Sequence, residues 1–173
     1  MSLSMYRASV PVFTRGLKAT SAIIDKAAAH CAEKKIDPDV MINFRLAPDM
    51  LPFRAQIFIM ADQAKGCAAR LAGADVPAYA DEEKTFDELK ARIAKTVDFI
   101  SGFKPEQIDG SEEKNIHLSF TTTEGQKIEF DFTGADYLTG FVTPNFYFHM
   151  STAYGILRHQ GVEIGKRDFL GGA

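Results

Sequence analysis

Four histidines and two cysteines are the side chains of this 173-residue chain best suited to hold a metal or carry a proton. His149 is the one placed for chemistry. It lies in NFYFHMSTAYGILRHQG, where residues four apart share a helix face, so Asn145, His149 and Thr152 or Ala153 form a polar strip among Phe146, Tyr147 and Phe148. Such a residue is either a metal ligand with partners on other elements or a polar side chain that a core has tolerated. His159 cannot be the partner. Ten residues on, at about 100° each, it is close to a quarter turn out of line with His149. It falls at a helix end instead, where it meets the last carbonyls and the negative end of the dipole. His117 alternates onto the polar side of a strand pattern and His30 lies beside an apolar stripe, so both read as solvated.

Other polar residues stand in apolar surroundings. Gln56 and Asp62, with Arg54 near the first turn, interrupt the stretch MLPFRAQIFIMADQAKGCAARLAG. Capping and surface ion pairing account for most of them, and Arg45 and Asp49 can pair just upstream. Cys31 and Cys67 fall in helical patterns without a Cys or His at zinc-ribbon or redox spacing, and read as buried, reduced thiols. The chain has no phosphate-binding glycine loop, nucleophile elbow, HExxH or EF-hand pattern.

These residues need elements to position them. Residues 4–34 place Tyr6, Val10, Phe13, Leu17, Ile24, Ala28 and Cys31 on one stripe, predicting a long helix that starts or bends at Pro11. A connection with one short turn at 39–43 follows. Asp49 is the expected N-cap of a second helix, with Phe53, Ile57, Met60, Ala64, Cys67, Ala68 and Leu71 on one face and Gly73 as its stop. Thr85 and Glu88 form a capping box ahead of Phe86, Leu89, Ile93, Val97 and Ile100, and Gly102 ends that helix. The period then changes to two. Ile116, Leu118 and Phe120, then Ile128, Phe130 and Phe132 across TTTEG, predict a hairpin over about 115–133 with one apolar face. A lone hairpin is marginal in water, so that face must meet the helices or a partner chain. Thr143 and Pro144 read as the N-cap and first residue of a last helix that Gly161 stops. The economical fold is a mainly α four-helix bundle with one β-hairpin inserted between helices three and four, as a single domain over residues 1–173.

Composition narrows the partners. With 20 Lys/Arg against 23 Asp/Glu and no basic run longer than two, the chain carries no nucleic-acid footprint. Apolar stretches broken within about ten residues rule against a bilayer span of about 20. The start MSLSMYRASVP does not look like a secretory signal, and a cytoplasmic location is expected.

Three segments, SLSMYRASVPVF, RLAPDMLPFRAQ and PNFYFHMSTAYGILRHQGVEIGKRDFLG, resemble an uncharacterised bacterial family, a domain of unknown function within the DinB/YfiT-like superfamily. The resemblance covers nearly the whole chain. It implies a four-helix bundle, commonly a homodimer, with a metal site of three histidines in many relatives: one on helix two and two, four residues apart, on the last helix. Some relatives use that site for thiol-dependent transfer or isomerisation. Carried over, the second histidine of the pair falls on His149 and the first on Asn145. The helix-two histidine falls on Gln56, with Asp62 as the alternative.

One ligand of three survives that comparison. An open transition-metal site needs about three strong donors, and carboxamide oxygens are poor ones for zinc or nickel. The expectation is therefore a bundle with a degenerate metal site, no assigned cofactor, and Gln56, Asn145 and His149 lining a polar pocket for a small molecule. The alternative is a metal-dependent transferase or hydrolase, or a metal-free enzyme, with His149 as zinc or nickel ligand or as acid or base. A purely structural dimer whose polar centre fixes helix register is the third reading.

Overall fold

Ser4 opens the first helix, α1 (Met5–Lys34), by accepting a hydrogen bond from the Arg7 N–H. In this computed structural model, which describes residues 3–121 and 125–172, the helix continues unbroken through Pro11, so it does not start there. Pro11 sits inside α1 because both Pro11 and Arg7 are exposed. The Arg7 carbonyl, deprived of its usual donor at Pro11, lies where water can replace it. The short turn expected near residue 39 is α2 (Pro38–Asn43), capped by Asp37.

The second long helix begins later than its sequence signals imply. Asp49 is not the N-cap of α3 (Phe53–Ala72); Pro52 is. A residue preceding proline is biased away from helical geometry, so Leu51 delays the start, and the Phe53 N–H is taken by the Phe44 carbonyl. Gly73, at φ 75°, closes α3 as expected. The capping box of Thr85 and Glu88 opens α4 (Phe86–Ser101), with both reciprocal hydrogen bonds formed. A short helix that the pattern did not announce, α5 (Pro105–Ile108), follows.

The hairpin pairs β1 (Asn115–Thr121) with β2 (Lys127–Thr133) antiparallel, setting Ile116 opposite Phe132, Leu118 opposite Phe130 and Phe120 opposite Ile128. That is the single apolar face expected; residues 122–124 of its TTTEG turn lie outside the described residues. The face divides in two. Ile116 and Leu118 are buried, and Phe132 packs on Tyr137 and Phe141 at 6.0 and 5.4 Å between ring centres. Farther out, Phe120 and Phe130 are 46% and 39% exposed.

The last helix also departs from its signals. Thr143–Pro144 does not start it, because Thr133 already caps a helical run made of α6 (Gly134–Asp136), a π-helical segment (Tyr137–Val142) and α7 (Thr143–His159). A proline inside an α-helix clashes with the carbonyl four residues back, here that of Gly140. The wider turn ahead of Pro144 accommodates it, and the Thr143 N–H reaches back five residues to the Leu138 carbonyl. Gly161, at φ 87°, follows the end of α7, and α8 (Lys166–Phe169) folds the tail onto α1.

The bundle is made of α1, α3, α4 and α7, with α3 packed chiefly on α7 and α4, and α1 on α4. The face forecast for α3, from Phe53 to Leu71, is buried throughout. Phe13 of α1 meets Phe146 of α7 at 4.9 Å, and both are fully buried. Among the described residues no helix is long and apolar enough to cross a membrane.

Candidate functional site

The π segment fixes how α7 presents its polar strip. Tyr137, buried at its head, accepts a hydrogen bond from Arg70 of α3 at 3.0 Å, and burial pushes its hydroxyl up to about 12. Gly66 makes this possible, since a Cβ there would fall 2.3 Å from the Arg70 guanidinium. Lys114, just before β1, donates to the Arg70 and Leu71 carbonyls at the end of α3, the negative end of its dipole. Hairpin and π segment are thus both tied to the C-terminal end of the helix that carries Gln56.

Gln56 and His149 meet across the α3–α7 interface. His149 Nδ1 lies 2.7 Å from Gln56 Oε1, with the residues 9% and 2% exposed. Gln56 Nε2 donates to the Leu51 carbonyl at 2.9 Å, which turns the amide oxygen toward the imidazole. The hydrogen-bond network then assigns the tautomer: Nδ1 carries the proton and Nε2 the lone pair. Leu51 is therefore linked twice to the site. As the residue before Pro52 it delays α3, and its carbonyl orients Gln56.

Burial holds the His149 imidazole below its ordinary value of 6.5. Among the described residues its Nε2 has no partner, yet the buried unpaired side-chain atoms there are Thr14 Oγ1, Arg92 Nε and Ser111 Oγ. Nε2 accordingly keeps some contact with solvent. The Phe148 ring, 58% exposed, stands edge-on to the imidazole at 5.2 Å and forms an apolar rim.

The remaining candidates make other contacts. Asn145 is half-buried and spends its amide N–H on the Phe141 carbonyl at 2.7 Å, fastening the junction between the π segment and α7. Asp62 binds Lys65 at 2.9 Å and Arg92 at 3.2 Å. Arg45 donates to the Met50 carbonyl. Cys31 and Cys67 are free and buried, and desolvation raises the Cys67 thiol to about 12. His117 is exposed beside Asp131 at 2.9 Å, and His159 stacks near Phe44 at 5.9 Å. Among the described residues no three His, Cys, Asp or Glu side chains gather where they could hold a metal ion.

Sequence reasoning missed Arg92, whose side chain is 1% exposed. It binds Asp62, Asp81 and Glu83, donates to the Ala80 carbonyl, and lies over the Phe58 ring at 4.7 Å. Tyr79 has Lys65 and Lys95 over its ring at 3.8 and 4.1 Å. Together these contacts clamp the segment between α3 and α4. The available signal was spacing: Arg92 stands three residues after Leu89 and four before Thr96, beside the apolar stripe of α4.

The lowered imidazole has a consequence for stability. An unfolded chain protonates His149 near 6.5 and the folded one only at lower pH, so in that interval the unfolded state binds more protons. The contribution is complete above 6.5 and is lost as pH falls toward the folded value. We expect the melting-temperature difference between wild type and His149→Leu to shrink as pH drops through that window. A constant difference would mean that the imidazole titrates alike in both states.

The chain is matched over residues 5–170 by the model of a family described as "Domain of unknown function (DUF1993)". Among solved structures, the crystal structure of a DinB family member protein from Shewanella denitrificans is 39% identical, with a TM-score of 0.83. The match covers 96% of this chain and 91% of that one. No curated protein matches.

Proposed function

The chain belongs to the DUF1993 family, a DinB-like domain of unknown function, and from that premise we propose that it is a cytoplasmic small-molecule-binding module working as a homodimer. In this reading the metal centre implied by the DinB resemblance has given way to the hydrogen-bonded pair of Gln56 and His149. The donor set does not fit zinc or nickel: Gln56 has committed both ends of its amide to protein partners, the Asn145 oxygen is a weak carboxamide donor, and one imidazole nitrogen remains where about three strong donors are needed.

His149 Nε2 carries the proposal. A neutral imidazole, held by the Gln56 carbonyl and left with a lone pair beside the apolar Phe148 ring, is an acceptor for an O–H, N–H or S–H group on a small molecule. Elemental analysis of protein prepared without chelators or affinity histidines should find transition metal well below one ion per chain. Stoichiometric zinc, nickel or iron that His149→Ala removes would overturn the reading. In a thermal-shift panel of low-molecular-weight thiols and carboxylates, a ligand at about a hundred times its Kd should raise the melting temperature by roughly 5–10 °C. That rise should vanish in His149→Ala.

One observation favours an enzyme instead. The lowered imidazole is the base form near neutrality, and a base oriented by a second side chain is how general-base sites are built. His149 would then take a proton at Nε2 while Gln56 holds the ring. Turnover with a pH profile that shifts in Gln56→Leu would decide for it.

The homodimer rests on the hairpin. Phe120 and Phe130, 6.0 Å apart between ring centres, leave apolar surface on the outer half of the two strands that a second copy would cover. Light scattering at micromolar concentration should give twice the chain mass, and Phe120→Lys with Phe130→Lys should halve it. A monomeric wild type would defeat the assignment.

A further inference from the structure

A groove of about 680 Å³ runs between α1 and the C-terminal turn, well inside the range of small-molecule sites. Neither Gln56, Asn145 nor His149 lines it. Its walls carry Arg15 and Lys18 from α1 and Arg167 from α8. Arg15 and Lys18 are three residues apart on one helix face, and α8 brings Arg167 across to them. All three are exposed, and among the described residues no acidic side chain pairs with any of them. The one carboxylate in the lining, Asp168, is already neutralised by Lys26 at 2.6 Å and by the Gly165 N–H at 2.8 Å.

The C-terminal turn comes close to the aliphatic stem of Arg15: a Cβ built on Gly171 would lie 3.5 Å from Arg15 Cγ. In a chain of net charge -3, three unpaired cations around one groove are a local concentration, not the overspill of a basic protein.

We propose that the groove between α1 and the C-terminal turn binds a small phosphorylated molecule, with Arg15 and Arg167 as the phosphate clamps and Lys18 as a supporting charge. Guanidinium groups grip phosphate oxygens in pairs, which a lysine cannot do. The groove is larger than one phosphate needs, and Ala19 in its lining offers apolar contact to the rest of the molecule.

Pyrophosphate is the probe, titrated calorimetrically at low and moderate salt into wild type, Arg15→Glu with Arg167→Glu, and a charge-matched control, Lys84→Glu with Lys104→Glu. Lys84 and Lys104 are exposed cations outside the groove. Binding should be detectable at about millimolar pyrophosphate and weaken at least roughly tenfold in the groove variant, with the control unchanged. Circular dichroism melts establish that both variants fold. Thr14→Val, nearly isosteric, removes only a buried hydroxyl of the lining, leaves charge untouched and should bind pyrophosphate as wild type does. Equal weakening in the control, or no heat with wild type, would overturn the proposal. So would binding only to vesicles containing phosphatidic acid, which would make the groove a membrane-surface contact.

Discussion

Phe146→Ala should cost about 3–5 kcal/mol of folding stability, the range for truncating a fully buried phenylalanine. Three features place it at the upper end. The ring has no exposed surface, it packs on Phe13 at 4.9 Å, and it fills the space that Gly16 leaves open on α1. A Cβ on Gly16 would lie 2.7 Å from Phe146 Cε1, so helix and ring are already as close as a glycine allows. Collapse around the cavity is therefore limited, and the lost contacts are not recovered. For a chain of this size the melting temperature should fall by about 10 °C or more, measured by calorimetry or circular dichroism. Phe148→Ala on the same helix, where the ring is 58% exposed, should shift it far less. Similar losses from both would mean that α7 is not seated on α1 through Phe146.

The contrast between Phe146 and Phe148 shows how far sequence reading reaches. Helical period separates a polar strip from its aromatic neighbours, and the stripes of α1, α3 and α4 were legible because every burial event repeats the same spacing. The start of α7 was not legible. Thr143–Pro144 is a good local start signal, but the helical run had already been opened by Thr133, and a π turn absorbed the proline that should have marked a boundary. Asp49 failed for a similar reason: a suitable cap counts for little when the residue before Pro52 resists helical geometry.

At the candidate site, types and spacing pointed to His149, and the family resemblance added Gln56; the two do meet. Neither signal could reveal that Asn145, one turn away, bonds to its own helix, because that depends on the carbonyl geometry at the π junction. Arg92 was hidden for the opposite reason. A charged residue beside an apolar stripe normally reads as solvated, and only the segment between α3 and α4, folding back with Asp81 and Glu83, buries it.

Gly134→Ala tests whether the hairpin base sets the position of α7. Gly134 joins β2 to the helical run, and the chain crosses so close to the loop before β1 that an added Cβ would lie 1.9 Å from the Ser111 carbonyl oxygen. That neighbour is backbone, fixed in part by the Ala135 N–H bond to Glu112 at 2.9 Å, and cannot swing aside as a side chain would. Relief needs a backbone shift at the hairpin base, and the cost should reach about 3 kcal/mol, the upper end of the overpacking range. Gly140→Ala is the control. It lies in the same helical run with open space around its Cβ, so substitution there should be neutral or stabilise by up to about 1 kcal/mol, since alanine suits a helix better than glycine. The shift should also travel along the run to the pair of Gln56 and His149. A lengthened Nδ1 contact would bring water to the imidazole and return its titration toward 6.5, which NMR of the His149 ring can follow. If Gly134→Ala lost stability while that titration stayed put, the hairpin would brace the bundle without positioning its polar centre.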